Sequence, residues 1–171
     1  MKLFFDIDTQ IDFMFPSGAL YVPGAEKLIP AIAQLNWDAV QSGAKLISTA
    51  CAHTEDDPEF KVWPPHCVVG TVGQLKPAAL LTGNPAQIIL EKQELDLFSN
   101  PKTDELLREF APEECVVYGV VTEYCVQKCA LGLLARGHKA ALVEHAIECL
   151  NPADAAAFLD DFRARGGMLL S

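Results

Sequence analysis

Three side chains with complementary chemistry stand out because each follows a short apolar run. Asp8 directly follows the first such run, Lys92 follows the third, and Cys125 opens the helical pattern after the fourth. The unpaired amides and the dipole of a helix N-terminus favour the thiolate form of a cysteine, so Cys125 is a candidate nucleophile. A carboxylate can take the thiol proton and pass it to a leaving group, and a lysine can stabilise the thiolate. These residue types therefore predict nucleophilic catalysis, provided that the fold brings them together.

Each of these residues also has an ordinary structural explanation. Free cysteine is among the most buried residue types, an aspartate after a strand can form an Asx turn, and a lone lysine is commonly a solvated surface charge. Cys129 lies one turn after Cys125, Cys115 begins a predicted strand and Cys149 follows another, so we assign these three thiols to packing. Only the joint placement of the aspartate, the lysine and the first cysteine of the helix favours chemistry.

Short apolar runs that alternate with helical patterns must position these side chains. Most of the runs are continuously apolar, which is typical of strands buried on both faces of a parallel sheet. The alternation predicts the α/β class, as a single three-layer α/β/α domain over residues 1–171 with a doubly wound, mainly parallel sheet of about six strands. The predicted strands cover residues 3–7, 45–49, 88–90, 115–121, 140–144 and 168–170.

Helical periodicity and cap signals predict four helices. The first covers residues 25–39 and stops before Gly43, with Pro30 delaying its start. The others cover residues 103–110, 123–136 and 153–165, which Thr103, Gly137 and the Asn151-Pro152 pair delimit.

Two long segments, residues 9–24 and 50–87, fit neither a strand nor a helix pattern. Long irregular stretches in a compact domain are usually functional. Both follow predicted strands, so they leave the sheet at its carboxyl edge, where open α/β folds bind ligands. We therefore expect a site at this edge that collects residues far apart in the sequence.

Composition limits the partners and the compartment. The chain has 13 Lys or Arg against 23 Asp or Glu, for a formal net charge of −10, which argues against nucleic acid because a phosphate-backbone binder needs clustered cations. No apolar stretch approaches the roughly 20 residues of a membrane span, and the N-terminal run is too short for a signal peptide. We expect a cytoplasmic protein without a membrane partner, whose 6 scattered cysteines are mostly free thiols.

Four segments carry a resemblance to a known family. Residues 7–13 read IDTQIDF, residues 91–92 read EK, and residues 119–126 read GVVTEYCV. These resemble the three signature segments of the isochorismatase-like cysteine hydrolases, in the family's order and spacing and over essentially the whole chain. Residues 63–71, WPPHCVVGT, are similar to a segment most typical of nicotinamidases, the amidases of this superfamily that convert nicotinamide to nicotinate and ammonia.

The resemblance implies a catalytic centre. Asp8, Lys92 and Cys125 fall on the catalytic triad, and the bond between Val120 and Val121 falls on a non-proline cis peptide. The backbone amides of Val121 and Cys125 would form the oxyanion hole. The expected reaction is hydrolysis of a small carboxamide, nicotinamide above all, through a thioester.

The resemblance also implies a pocket for a flat ring. Phe13 and Trp63 match the aromatic residues that sandwich the pyridine ring in nicotinamidases, and Phe98 is expected to close the pocket. Family members are often dimers or tetramers, so a homo-oligomer is expected as well.

The metal site implied by the resemblance departs from the family pattern. Nicotinamidases hold a divalent ion with an Asp-x-His pair and further histidines, and here the pair reads Cys51-Ala52-His53. His66 retains the last ligand, while Glu59 occupies a position that is histidine in some members. All four side chains can bind zinc, which is therefore the expected ion. Residues 56–59 could equally form an acidic solvated turn.

Two alternatives remain open at this point. Residues 145–146 read HA where the family usually has Asp-Ala, which leaves room for another small amide, an N-carbamoyl compound or isochorismate as the substrate. The second alternative, from a different class, is a non-catalytic zinc-binding or redox-sensing module that uses the thiols as metal ligands or oxidation sensors.

Overall fold

The computed structural model describes residues 1–171 and contains one sheet of 6 strands. The strands are β1 (Lys2–Ile7), β2 (Lys45–Cys51), β3 (Gln87–Lys92), β4 (Glu114–Val120), β5 (Ala140–Glu148) and β6 (Met168–Leu170). Their order across the sheet is β3-β2-β1-β4-β5-β6, and every neighbouring pair is parallel. The predicted α/β class with a six-stranded parallel sheet is therefore confirmed.

Five α-helices accompany the sheet, and several begin or end where the sequence places a cap. The Asn151 side chain accepts hydrogen bonds from the first amides of the last helix, and Pro30 occupies the first turn of the second, where a missing N–H costs nothing. The helices are α1 (Ile11–Met14), α2 (Ile29–Gln41), α3 (Lys102–Phe110), α4 (Gln127–Ala135) and α5 (Pro152–Ala164).

The strands separate two apolar layers because their side chains alternate across the sheet. Leu3, Phe5 and Ile7 of β1 pack in one cluster with residues of α3, α4 and α5. On the opposite face, Val116 and Tyr118 of β4 pack with residues of α2. The resulting helix-sheet-helix layers match the three-layer arrangement expected from the sequence.

Element boundaries differ from the sequence predictions mainly at the carboxyl edge of the sheet. Strands β2 and β3 extend to Cys51 and Lys92, because residues 46–51 and 87–92 pair along their whole length. The helix predicted from residue 123 begins instead as a single π-turn, Thr122–Val126, and only then continues as α4. Three short 3-10 turns, Pro58–Lys61, Val72–Gln74 and Ala78–Leu80, interrupt the long segment between β2 and β3.

The order in which the strands are added to the sheet reverses between the neighbouring strands β1 and β4. From β1 it proceeds outward to β2 and β3, then returns to β4 on the other side and continues to β5 and β6. The loops after β1 and β4 therefore diverge and leave a crevice at the carboxyl edge, which is where doubly wound sheets bind ligands. None of the helices is long and apolar enough to cross a lipid bilayer.

Candidate active site

Asp8 stands at the mouth of this crevice, one residue beyond β1. Its backbone has a positive φ of 49°, so the chain turns sharply as it leaves the strand. Thr49 of β2 holds the residue at two points: its hydroxyl accepts from the Asp8 amide at 3.0 Å and donates to Oδ1 at 2.5 Å. The other oxygen, Oδ2, lies 2.8 Å from Lys92 Nζ.

Lys92, the last residue of β3, provides the positive charge of the site. Its ammonium is buried and donates to the carbonyl of Glu94 at 3.0 Å and to Cys125 Sγ at 3.6 Å, in addition to its contact with Asp8. Burial has the largest single effect on the pKa of Lys92 and lowers it, but the Asp8 carboxylate together with Cys125 and Cys51 holds the net pKa well above its usual value. The lysine is therefore cationic throughout the physiological range.

Cys125 projects from the π-turn that follows β4, and its Sγ contacts Lys92, the same lysine that pairs with Asp8. The expectation of an acidic thiol at a helix start is wrong here, because burial raises the pKa of Cys125 well above its usual value and the Lys92 charge offsets only part of this effect. Burial has the largest single effect on the pKa of Asp8 and raises it, but the Lys92 charge and the hydrogen bonds from Lys92, Thr49 and Cys125 together lower the net pKa. The resting centre thus combines a carboxylate, an ammonium and a neutral thiol.

A small cavity opens beside these groups. Its lining includes Asp8 and Cys125 as well as Val120 and Val121, which are joined by a cis peptide bond. The remaining lining is largely apolar and comprises Phe13, Leu20, Cys51, Glu59, Trp63, His66, Leu95, Tyr124 and Leu150. The site is therefore a small, mainly apolar cavity whose lining includes the Cys125 thiol and the Asp8 carboxylate.

The aromatic residues expected to hold a ring are only partly brought together. Phe13 and Trp63 both line the cavity, and the Trp63 ring meets Tyr124 edge-on at 5.5 Å between centroids. Phe98 does not line it, which corrects the expectation that this residue closes the pocket. Its ring packs against α4, below the Arg136 guanidinium at 3.6 Å, where Gly132 leaves room for it.

A cluster of His53, Glu59 and His66, called here the histidine cluster, forms a second group of polar atoms beside the cavity. One donor atom from each residue lies within 4.8 Å of the others. His66 Nδ1 lies 2.8 Å from the carbonyl oxygen of Pro64, which can only accept, so Nδ1 carries the proton. In the neutral ring Nε2 is then unprotonated, and it lies 3.8 Å from Glu59 Oε1. Burial lowers the pKa of His66, which favours the neutral ring.

The histidine cluster fits a divalent cation, because one of its imidazole nitrogens, His53 Nε2, is buried without a hydrogen-bond partner. His53 Nδ1 contacts Asp57 Oδ2 at 2.9 Å, while its Nε2 is buried without any hydrogen-bond partner. A carboxylate that orients one ring nitrogen so that the other can coordinate is the usual support of a metal-bound histidine. Two imidazoles and a carboxylate suit zinc and leave an open coordination position.

Cys51 does not belong to the histidine cluster, which corrects its assignment as a metal ligand. Its Sγ lies 3.3 Å from Lys92 Nζ instead, because the end of β2 pairs with the end of β3 and turns the thiol toward the lysine. Burial raises the pKa of Cys51 to about 12, so the thiol is neutral. The residue borders the cavity between the two polar groups.

Several residues that support the site were missed from the sequence. Thr49 orients Asp8, and Asp57 orients His53. The Gln10 side chain accepts from the Cys51 amide at 2.7 Å and donates to the Cys51 carbonyl at 2.8 Å, which ties the end of β2 to the turn after β1. Gln10 and Asp57 are polar residues of the two long irregular segments, but nothing in the local pattern distinguishes them from solvated loop residues.

The chain is similar to a known family. Residues 2–171 match the family described as "Isochorismatase domain". Among curated proteins, the nicotinamidase of Saccharomyces cerevisiae is 28% identical, with 81% of this chain and 84% of that protein covered.

Solved structures agree in fold over nearly the whole chain. The pyrazinamidase/nicotinamidase of Streptococcus mutans UA159 is 26% identical with a TM-score of 0.92, covering 99% of this chain and 100% of its own. The pyrazinamidase of Pyrococcus horikoshii, solved in complex with zinc, is 27% identical with a TM-score of 0.92, covering 99% and 98%.

Proposed function

Since the chain belongs to the isochorismatase family and is an amidohydrolase, we propose that it converts nicotinamide to nicotinate and ammonia with Asp8, Lys92 and Cys125 as its catalytic residues. The observation that carries this proposal is the buried contact of Lys92 with both Asp8, at 2.8 Å, and Cys125, at 3.6 Å, beneath an apolar cavity. A nucleophile, a base and a cation in one enclosed place are what amide cleavage through a thioester requires.

The first half of the reaction forms the thioester. Asp8 takes the thiol proton of Cys125 as the sulfur attacks the carboxamide carbon, and the C=O bond opens to an oxyanion. The backbone amides of Val121 and Cys125 would stabilise this oxyanion, which is commonly the largest single contribution to such catalysis. When the C–N bond breaks, Asp8 returns the proton to nitrogen and ammonia leaves.

The second half regenerates the enzyme. Asp8, again a carboxylate, removes a proton from a water that attacks the thioester, and the C–S bond then breaks to release the acid. The thiolate recovers its proton from Asp8. Lys92 stays cationic throughout, so that it stabilises whichever of Asp8 and Cys125 carries the negative charge.

The remaining lining suits the pyridine ring. Phe13 and Trp63 provide aromatic surface, and the cavity is lined mainly by apolar side chains. His53, His66 and Glu59 would hold a zinc ion, which supplies a Lewis-acid contact for a ring heteroatom when it is bound. The zinc complex of the Pyrococcus horikoshii relative and the orphaned Nε2 of His53 support this assignment.

The charges around the cavity favour a neutral substrate over the two alternatives. N-carbamoyl amino acids and isochorismate carry carboxylates, which need a cation to offset their desolvation. The cavity lining contains Asp8 and Glu59 but neither Arg nor Lys, and Lys92 is already paired with Asp8, so apart from the proposed zinc ion no cation would offset such a carboxylate. An uncharged heteroaromatic amide therefore fits the site better.

The test is a substrate panel with purified protein, with ammonia release measured for nicotinamide, pyrazinamide, benzamide and N-carbamoylsarcosine. We expect turnover of the two heteroaromatic amides, loss of it in Cys125→Ala, and a weaker loss after chelation. Preferred turnover of N-carbamoylsarcosine would overturn the assigned substrate. Full activity of Cys125→Ala would overturn the mechanism, and no turnover of any of the four amides by the wild type would favour a non-catalytic role.

We also propose a cytoplasmic location. All six cysteines are free thiols, as is usual for proteins of reducing compartments. Fractionation of the source cells tests this proposal, and recovery of the protein outside the cytoplasm would contradict it.

A further inference from the structure

A second buried ion pair, separate from that of Asp8 and Lys92, lies below the turn that carries the proposed base. Lys76 Nζ is 3.3 Å from Asp6 Oδ2, and the two side chains are 3% and 0% exposed. Lys76 comes from the irregular segment between β2 and β3, whereas Asp6 is in β1, 70 residues earlier. Neither residue lines the cavity, so the proposed reaction does not use this pair directly.

The pair is part of a fully connected polar network. The Thr9 hydroxyl donates to Asp6 Oδ1 at 2.6 Å and accepts from Lys76 Nζ at 2.9 Å. Asn36 of α2 donates to Asp6 Oδ2 at 3.3 Å and accepts from the Tyr118 hydroxyl at 2.8 Å. Asp6, Thr9 and Lys76 thus form a closed triangle of contacts. It links Asp6 and Thr9, which stand on either side of Asp8 in the sequence, to the segment between β2 and β3.

The turn at Asp8 needs such an anchor, because strand alternation alone would direct its side chain elsewhere. Asp6 faces α2, and a residue two positions later in a strand faces the same way. The carboxylate of Asp8 instead reaches Lys92, which shares its face of β3 with Leu90, a member of the opposite apolar layer. The positive φ of 49° at Asp8 produces this change of direction, in a region that non-glycine residues seldom occupy.

Buried ion pairs seldom improve stability over apolar residues of similar volume, because both charges lose their hydration. Their best-attested benefit is to specify one conformation among several. Here the two ends of the network, Asp6 and Thr9, bracket the residue whose direction decides whether a base reaches the nucleophile.

We propose that Lys76 is a positioning residue for Asp8: together with Asp6 and Thr9 it holds the turn after β1 in the one conformation that presents the Asp8 carboxylate to Lys92 and Cys125. This inference rests on the proposed function, since it assigns a purpose to Asp8. Lys76 touches neither the cavity nor the reacting groups and acts through Asp8 alone.

The experiment compares the wild type with Lys76→Met/Asp6→Asn, which removes both charges and leaves neither one buried without its partner. We expect a folded protein whose kcat for nicotinamide falls about tenfold to a hundredfold, the usual cost of a misplaced catalytic group, while KM is unchanged. Lys102→Met, which removes the lysine of an exposed ion pair with Glu105, is the control and should keep the wild-type kcat.

A pH profile separates positioning from a purely structural role. Lys92, Thr49, Cys125 and Cys51 are the groups around Asp8, and the Lys92 charge is the largest of the effects that lower the pKa of Asp8. If the turn relaxes, that charge acts less strongly, so the acidic limb of kcat/KM should move to higher pH in the double variant. A wild-type kcat and an unmoved limb in a folded double variant would overturn the proposal.

A second pair of variants covers the case in which the double variant does not fold. Thr9→Val deletes the hydroxyl that links Lys76 to Asp6 at nearly constant volume, whereas Thr9→Ser retains it. We expect the kcat loss in Thr9→Val and recovery in Thr9→Ser, and equal kcat values in the two would contradict the proposal.

Alkylation of Cys125 makes the outcome independent of the substrate. The pH dependence of its reaction with iodoacetamide, followed by mass spectrometry, reports the Asp8–Lys92–Cys125 centre even if nicotinamide is not turned over. A wild type inactive on nicotinamide would therefore refute only the proposed function, whereas identical alkylation profiles in Thr9→Val and Thr9→Ser would refute the role of Lys76.

Discussion

The proposed catalytic centre and the histidine cluster border one cavity but are built in opposite ways. Asp8, Lys92 and Cys125 stand at or just beyond the ends of three parallel strands, and the charges of the first two compensate each other at 2.8 Å. The histidine cluster lies in the segment between β2 and β3, and it leaves His53 Nε2 buried without a partner.

This difference indicates that one half of the site is complete in the protein alone and the other is not. A buried carboxylate and a buried ammonium in contact compensate each other's charge, and Thr49 and Glu94 bind the remaining polar atoms of the pair. A buried imidazole nitrogen without a donor or a cation has a desolvation cost that nothing in the chain offsets. Loss of metal should therefore affect the histidine cluster and substrate binding while leaving the catalytic centre intact, and the following experiments test this separation.

Removal of the nucleophile should have the largest effect. Cys125→Ala is expected to lower the kcat for nicotinamide by about 10⁴-fold or more, because a group that acts as a unit with its partners takes their contribution with it. Zinc content, measured on the same preparation, should be unchanged. Cys149→Ala, at a partly exposed thiol outside the cavity, is the control. A parallel loss of zinc in Cys125→Ala would mean that the two halves are coupled.

Breaking the buried ion pair between Asp8 and Lys92 should have the next largest effect. Lys92→Met leaves the Asp8 carboxylate buried without its partner, and we expect the free energy of unfolding to fall by about 3–5 kcal/mol, as for other broken buried pairs. Asp8→Asn/Lys92→Met should recover most of this loss while remaining inactive. Urea denaturation measures both quantities, and a double variant as unstable as Lys92→Met would contradict the compensation.

Acid should remove the same stabilisation in the wild type. The pKa of Asp8 is lowered by folding, so its contribution is full above the unfolded value of about 3.9 and is lost as the pH falls through the folded pKa. The pKa of Lys92 is raised, so its contribution is lost only as the pH rises through that value, well above neutrality. Denaturation curves collected from pH 7 to pH 2 should therefore fall more steeply for the wild type than for Asp8→Asn/Lys92→Met; parallel curves would refute this.

Weakening the carboxylate that orients His53 should have a smaller effect, on metal affinity, and should leave the catalytic centre unchanged. Asp57→Asn weakens the partner of His53 Nδ1, and loss of such a partner typically lowers metal affinity by about tenfold to a hundredfold. Competition with a chromophoric zinc chelator measures the affinity. Asp56→Asn, at the exposed neighbouring residue, should have no effect, and equal affinities in the two variants would argue against the site.

The smallest effect is expected at Cys51. Its thiol contacts Lys92 and lies outside the histidine cluster, so Cys51→Ser should retain the zinc affinity of the wild type in the same competition assay. A loss as large as that of His53→Ala would instead make Cys51 a ligand, as the sequence pattern had suggested.

The sequence by itself determined the strands, most of the helices and the candidate residues of the catalytic centre. Continuous apolar runs are local signals, and so are caps such as Asn151, whose side chain binds amides only two and three residues away. Parallel strands must also end at the same edge, so Asp8 and Lys92 could be assigned to one site without coordinates. The strand ends at Cys51 and Lys92 were placed too early, because pairing with a neighbouring strand extends them and leaves no local mark.

Only the tertiary structure decided which polar groups meet and how they are charged. Cys51 faces Lys92, 41 residues away, Phe98 packs on α4, and Lys76 reaches Asp6 across 70 residues. The neutral resting state of Cys125 likewise depends on complete burial, which opposes the effect of a helix start. Side-chain direction, desolvation and long-range pairing arise when separate elements pack together, so no spacing within a single segment encodes them.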